Sequence, residues 1–128
     1  MRNIVVSIGN GLLAEAITKM LNESDEFQPF CITDNKKNDL VDQCKTLSAE
    51  TVLAEVSYNS NTTINTRLAQ AKEIRQKMPE CKIVLLCDEN SSPDIARDVM
   101  LSKKDGLIDA FFYSSVTGKY LLAALSAL

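Results

Sequence analysis

The sequence of 128 residues contains no histidine. Histidine is the side chain that ordinarily titrates near neutral pH, so its absence removes Ser-His and Cys-His nucleophile pairs and the usual general base. The four cysteines form no CxxC pair, and without histidine they do not make a zinc site. Cys31, Cys44 and Cys87 lie in apolar patterns, which predicts buried free thiols in a reducing compartment. We therefore expect a chain that is not an enzyme and that holds neither a cofactor nor a metal ion.

Concentrated positive charge is also absent, because the basic residues are scattered and the net charge is −3. A domain that holds nucleic acid needs a basic patch, so we expect no direct contact between this domain and nucleic acid. No apolar run approaches the roughly 20 residues that span a bilayer. The first strand-like run begins too early to leave room for a signal peptide. These features predict a cytoplasmic protein without membrane contact.

Five short runs rich in β-branched and aromatic residues predict strands. The runs are Ile4–Ile8, Phe27–Thr33, Thr51–Val56, Ile83–Cys87 and Ile108–Tyr113. Most of their positions are apolar, which is typical of a parallel sheet that helices cover on both faces. Pro29 cannot donate a hydrogen bond to a strand ladder, so the second run belongs at an edge of the sheet.

Each strand-like run is followed by an amphipathic stretch with the periodicity of a helix. The apolar positions are Leu12, Leu13, Ala16, Ile17, Met20 and Leu21; Leu40, Val41, Cys44 and Leu47; Ile64, Leu68, Ala71, Ile74 and Met78; Ile95, Ala96, Val99 and Met100; and Leu121, Leu122, Leu125 and Leu128. Ser92 with Pro93 predicts the start of the fourth helix, and Thr117 predicts an N-cap of the fifth. The pattern predicts one α/β domain over residues 1–128, a doubly wound, flavodoxin-like (βα)5 fold with a parallel sheet in the order 2-1-3-4-5.

A turn with two glycines follows the first strand, where a doubly wound sheet has its ligand crevice. Gly9, Asn10 and Gly11 supply the first half of a dinucleotide fingerprint, but Ala14 stands at the third glycine position. Asp34, after the second strand, stands where the fingerprint has its ribose-binding acid. Two interpretations follow. Either the crevice beside Gly9, Asn10 and Gly11 binds a nucleotide or metabolite, or the glycines only allow a tight turn from strand to helix.

The chain also resembles the receiver domains of NarL/LuxR-type response regulators. The segment from Ile108 to Leu125, IDAFFYSSVTGKYLLAAL, is similar to the family's ADGYLLKDVSGEELLAAL. The segment GLLAEAI from Gly11 is similar to its PLVREGL, and the third and fourth strands are similar to its VVLLDI and KVLLLT. The resemblance covers the whole chain in element order. It implies a CheY-like fold and a role in two-component signal transduction, the phosphorelay and transcription regulation.

The resemblance also implies where the phosphoryl-transfer residues would lie. Receivers phosphorylate an aspartate at the end of the third strand, with Mg²⁺ held by two acids after the first. The acid pair falls on Ile8 and Gly9, and the phosphoacceptor falls on Glu55. Mg²⁺ prefers oxygen ligands, which isoleucine and glycine side chains lack. Glu55 is one methylene longer than aspartate, which displaces the carboxylate by roughly 1 Å.

The remaining switch positions depart from the family in the same way. The hydroxyl residue that binds the phosphoryl group falls on Cys87, its lysine on Ser114 and its mobile aromatic on Phe111. Loss of the lysine removes the fixed cation that phosphoryl transfer uses. The sequence therefore predicts a degenerate pseudo-receiver, the N-terminal part of a longer regulator, that accepts no phosphate.

The output of such a domain is expected to be contact with a protein partner. The family's fourth helix, fifth strand and fifth helix form a face that makes dimers, so we expect a homodimer or a partner complex there, with a DNA-binding domain C-terminal to this one. For Glu55 two interpretations stay open: its carboxylate mimics a phosphoryl group, or it bonds to Ser114 or to backbone amides near Gly9 and fills the crevice. Phe111 and Phe112 either extend the docking face or pack in the core. A small-molecule sensor is the alternative function.

Overall fold

The computed structural model describes residues 1–9, 11–32, 39–57, 63–87 and 93–128. Strands and helices alternate along this part of the chain, five of each, as the sequence predicts. The strands are β1 Arg2–Ser7, β2 Phe27–Cys31, β3 Thr51–Val56, β4 Lys82–Cys87 and β5 Ala110–Tyr113. The helices are α1 Gly11–Glu23, α2 Asp39–Thr46, α3 Ile64–Lys77, α4 Pro93–Lys104 and α5 Gly118–Ser126.

All five strands join one parallel sheet in the order β2-β1-β3-β4-β5. The predicted fold class and strand order are therefore confirmed. Pro29 lies opposite Ile4 on β1, and β2 has no strand on its other side among the described residues. The edge position predicted from this proline is correct, because an edge strand needs only one ladder of hydrogen bonds.

The core consists of two apolar clusters, one on each face of the sheet. Val5, Val52 and Leu85 point to the face covered by α2, α3 and α4. Neighbouring strand residues such as Val6 and Leu53 point to the opposite face, beneath α1 and α5. Successive side chains of a strand face opposite ways, so a sheet covered on both faces is apolar at nearly every position. This arrangement explains the continuous apolar runs of the sequence.

The buried face of α1 differs from the predicted stripe. Leu12 is 80% exposed and Ala16 is also exposed, whereas Ala14, Ile17 and Leu21 are buried. Apolar residues in α1 are frequent enough to form a stripe on either of two neighbouring faces of the helix. Which of the two faces is buried depends on how the helix is rotated about its axis when it packs on the sheet.

In α4 the predicted position Met100 is exposed, the predicted positions Ile95 and Val99 are buried, and Ser102 is buried with them, while the side chain of the predicted position Ala96 is not among those described. The Ser102 hydroxyl donates to the Asp98 carbonyl one turn earlier, at 2.8 Å, which satisfies this buried polar group within the helix. The buried face of α4 therefore includes a serine, which the apolar pattern of the sequence does not predict.

The fifth strand begins at Ala110 rather than at Ile108. Asp109 explains the later start, because its backbone N–H donates to the Ile83 carbonyl at 2.8 Å and its Oδ2 accepts from the Ile83 N–H at 2.7 Å. Arg75 of α3 holds the same Oδ2 at 3.1 Å. Asp109 thus occupies the ladder position with its side chain, and the regular pairing of β5 starts one residue later.

Threonine side chains cap the N-termini of α3 and α5. The Thr117 hydroxyl accepts from the Tyr120 N–H at 3.2 Å, so the predicted N-cap of α5 is confirmed. Thr63 caps α3 in the same way through the Thr66 N–H. Ser92, predicted to cap α4, and Thr33, the predicted end of β2, lie outside the described residues. No helix in the described ranges is long and apolar enough to span a bilayer.

The cysteines are free thiols, but not all of them are buried. Cys44, Cys81 and Cys87 are buried, whereas Cys31 is exposed. The prediction for Cys31 is wrong because it ends an edge strand, where the helices do not cover the sheet completely. Burial raises the pKa of the Cys81 thiol to about 11, so this thiol stays neutral at physiological pH.

Candidate functional site

The candidate site lies at the carboxyl ends of β1 and β3, where the strand order reverses. Chains of this architecture leave a crevice at that point because the helices after the two strands pack on opposite faces of the sheet. Gly9, Glu55 and Cys87 all lie at this edge, each at or just after the end of its strand.

Glu55 and Gly9 are in direct contact. The Gly9 N–H donates to Glu55 Oε1 at 3.0 Å. A Cβ atom at position 9 would lie 3.1 Å from the same oxygen, which is closer than ordinary van der Waals contact. Glycine therefore lets the carboxylate approach the backbone of the turn, and the carboxylate fills the space above it.

This hydrogen bond is the contact that one of the two interpretations of Glu55 requires, since its carboxylate meets a backbone amide of the glycine turn. No hydrogen bond joins Glu55 to Ser114, and no cation pairs with the Glu55 carboxylate, in the ranges that the structure describes. Ser114 is exposed, and its backbone N–H donates to the Cys87 carbonyl at 2.9 Å.

A buried arginine donates hydrogen bonds to both strands that border the site. Arg67 of α3 is only 2% exposed. Its Nε donates to the Glu55 carbonyl at 2.8 Å, and its Nη2 donates to Ser7 Oγ at 3.2 Å. Its Nη1 donates to Gln70 Oε1 at 3.1 Å. One guanidinium thus joins α3 to the ends of both strands that border the crevice.

Sequence reasoning missed Arg67, although a signal was present. Arg67 and Gln70 lie on the same side of α3 as Ala71 and Ile74, which are buried. A charged residue within a buried helical stripe indicates that its charge is satisfied inside the protein, because an unpaired buried charge is very unfavourable. The guanidinium is suited to this role since it directs five N–H donors to several acceptors at once.

The other residues of the predicted acid pair and glycine turn are placed as follows. Ile8 is buried and packs in the apolar cluster beneath α1 and α5. Gly11 begins α1, and a Cβ there would meet no atom within 4 Å. Asn10 and Asp34 lie outside the described residues. Gly11 is therefore not required by close packing, unlike Gly9.

The residues at the ends of β4 and β5 are apolar or uncharged. Cys87 is fully buried in the cluster beneath α2, α3 and α4, and Phe111 packs against the same cluster from a half-buried position. Phe112 packs on the opposite cluster, and its ring meets that of Tyr120 edge to face at 6.3 Å. Both phenylalanines therefore contribute to the core, while Tyr120 is largely exposed.

The chemistry available in the crevice is limited. In the described ranges, no three Cys, Asp or Glu side chains lie close enough together to hold a metal ion. Among the described residues, the crevice presents the Glu55 carboxylate, already bonded to a backbone amide, while the Arg67 guanidinium bonds the backbone carbonyl of the same residue.

Solved structures with a similar fold include response regulators. The chain is similar to a DNA-binding response regulator of the LuxR family from Staphylococcus aureus, with a TM-score of 0.77 and 15% identity over 99% of this chain and 98% of that one. It is similar to the chemotaxis protein CheY4 of Vibrio cholerae, with a TM-score of 0.73 and 12% identity over 99% and 98% of the two chains. The chain has the fold of response-regulator receiver domains.

A third similar structure is the longer RcsB response regulator of Salmonella typhimurium, with a TM-score of 0.70 and 17% identity. The similarity covers 98% of this chain but 58% of RcsB, so the receiver fold accounts for only part of that protein. The sequence matches no protein-family model and no curated protein. At identities this low, the similarity establishes the receiver fold alone.

Proposed function

We propose that this chain is a signalling domain of the pseudo-receiver type, which has lost phosphoryl transfer and acts through contact with another protein or a second copy of itself. The observation that carries the proposal is the hydrogen bond between Gly9 N–H and Glu55 Oε1. It joins the two positions that the receiver resemblance assigns to a metal-binding acid and to the phosphoacceptor.

The chemistry of phosphoryl transfer supports this proposal. Mg²⁺ needs several oxygen ligands, and the side chains of Ile8 and Gly9 offer none. The transferred phosphoryl group also needs positive charge around its oxygens. Ser114, at the position of the family's lysine, carries no charge, and Arg67 lies beneath the backbone of Glu55 rather than beside its carboxylate. The domain is therefore expected to take neither metal nor phosphate.

The same contacts favour the crevice-filling interpretation of Glu55 over the phosphoryl mimic. A mimic would need a cation or hydroxyl to hold it as a phosphoryl group is held. The observed partner is the amide of Gly9, which stands at a position where the receiver resemblance places a metal-binding acid. We infer that Glu55 closes the crevice.

The alternative function, a nucleotide or metabolite sensor at the glycine turn, has less support. A phosphate bound there would need the backbone N–H groups of the turn, and the Gly9 N–H already has an acceptor. The Glu55 carboxylate would also repel a phosphate at this distance.

The proposed output is a protein contact made by α4, β5 and α5, within a longer cytoplasmic regulator of which residues 1–128 form the N-terminal domain. Large apolar side chains are exposed in this region, among them Met100 on α4 and Tyr120 on α5. Similarity to regulators described as DNA-binding supports a C-terminal output domain that contacts DNA, since the net charge of this domain does not suit it for that contact.

The test is phosphorylation by acetyl phosphate in the presence of Mg²⁺, read on a gel that retards phosphoproteins. The wild-type domain is expected to give one unshifted band, while a conventional receiver in the same reaction gives two. A retarded band that disappears in the variant Glu55→Ala would overturn the proposal.

A further inference from the structure

An apolar pocket lies between α1 and α5, near the candidate site, because Leu86 in its lining pairs with Glu55 in the sheet. Its volume is about 140 Å³. The floor is formed by Ile17, Leu86 and Leu121, each of which is at least nine-tenths buried. The pocket therefore reaches the apolar core instead of lying on the surface as a shallow groove.

The opening of the pocket is lined by small residues. Ala16, Ser114 and Gly118 lie at the rim, and all three are exposed. A Cβ at position 118 would lie 2.8 Å from the sulfur of Met20, so glycine is needed for Met20 to keep its place in the wall. The rim thus leaves a way in from solvent, and Ser114 supplies a hydroxyl beside it.

The size and lining of this pocket define what fits it. Apolar cavities of about 150 Å³ bind benzene, whereas they hold water poorly because they offer it no hydrogen-bond partners. The space is too small for a helix or a nucleotide, and its lining apart from Ser114 consists of apolar side chains and glycine. An occupant would recover the dispersion contacts that the lining atoms lack.

We infer that the pocket between α1 and α5 binds a small neutral molecule with an apolar body of one ring and a single hydrogen-bonding group, as phenol has. Ser114 Oγ bonds the polar group, and the ring lies on Ile17, Leu86 and Leu121. Binding here does not depend on the proposed loss of phosphoryl transfer. The pocket is connected to the candidate site through Ser114, whose backbone N–H donates to the Cys87 carbonyl at the end of β4.

The experiment is an NMR titration of protein with isotope-labelled Ile and Leu methyl groups, with phenol and benzene as probes. Saturable shifts are expected at the methyls of Ile17, Leu86 and Leu121. Leu101 and Leu107, which line a separate groove between α3 and α4, are expected to stay unchanged, which shows that the probe is selective for the pocket between α1 and α5.

Two variants and one control make the test specific. Ala16→Leu fills the opening and is expected to weaken phenol binding roughly tenfold or more. Ser114→Ala is expected to weaken phenol more than benzene, since only phenol loses a hydrogen bond. Ala123→Leu makes the same change as Ala16→Leu at an exposed alanine of α5 that does not line the pocket, and is expected to leave binding unchanged.

Several results would overturn the inference. Shifts that do not saturate would mean binding at high probe concentration only. Equal shifts at Leu101 and Leu107 would mean that the probe does not prefer the pocket between α1 and α5. Equal binding by Ala16→Leu and wild type would place the probe elsewhere. Light scattering that shows a wild-type dimer, disrupted by Ala16→Leu, together with no phenol shift, would mean that a second copy covers the pocket. Should Ala16→Leu not fold, Ser114→Leu at the exposed rim gives the same test.

Discussion

Replacing Arg67 tests whether the buried guanidinium holds the site together. Arg67→Met keeps most of the apolar stem and removes the donors to the Glu55 carbonyl, Ser7 Oγ and Gln70 Oε1. Hydrogen bonds from a charged group contribute about 1.5 to 3 kcal/mol each, and buried acceptors that lose their donor add a desolvation cost. The side chains of Ser7 and Gln70 can turn to other donors, but a backbone carbonyl cannot. We therefore expect a loss of about 3 kcal/mol in the free energy of unfolding.

Urea unfolding followed by circular dichroism measures this loss. Arg75→Met is the matched control, because Arg75 also lies on α3 and bonds a carboxylate, that of Asp109, but is one-third exposed. Partly exposed ion pairs contribute about 1 kcal/mol or less. A free energy of unfolding for Arg67→Met within about 0.5 kcal/mol of the wild-type value, the range of neutral surface substitutions, would show that the guanidinium does not stabilise the site.

Three further predictions follow from the described contacts. Gly9→Ala should lower the free energy of unfolding by about 1 kcal/mol, because the new Cβ crowds Glu55 Oε1. Chemical denaturation should show a smaller loss when the same change is made in the variant Glu55→Ala. Equal losses in the two backgrounds would mean that the two residues do not interact. Ellman's reagent should find one rapidly reacting thiol, Cys31, in the native protein and four after unfolding; more than one rapid thiol would contradict the burial of the others. Hydrogen bonds from Ser126 and Arg2 lower the pKa of Glu26. The ionised carboxylate therefore stabilises the folded protein above its ordinary pKa, and this stabilisation is lost as the pH falls through the lower pKa of the folded state. Glu26→Gln should flatten the acid side of the curve of stability against pH, and an unchanged curve would show that these contacts contribute nothing.

The fold follows from the sequence because its signals are local and repeated. The apolar runs and the alternation of strands with helices predict the fold class, and the strand order follows from the common doubly wound topology, with which the proline of β2 agrees. The structure differs where a signal is ambiguous in phase, as in α1, where Leu12 is exposed and Ala14 buried. It also differs where a polar side chain replaces a backbone contact, as Asp109 does before β5.

The site was predictable only in part. Receiver resemblance and the carboxyl-end rule bring Gly9 and Glu55 to one edge of the sheet. The position of Arg67 in the buried stripe of α3 indicates that its charge is satisfied inside the protein, but the sequence does not say which acceptors it bonds, because these lie on strands distant along the chain. Pockets such as that between α1 and α5 depend on packing between elements distant in sequence, which periodicity does not report.

The central claim, that the crevice closed by Glu55 and Gly9 takes neither metal nor phosphoryl group, is tested most directly at the Gly9 amide itself. Its NMR resonance should be followed while Mg²⁺ and then beryllofluoride, a phosphoryl analogue, are added to the intact domain. The resonance is expected not to move, because the amide stays bonded to the Glu55 carboxylate. A saturable shift that requires both additions and vanishes in Glu55→Ala would contradict it.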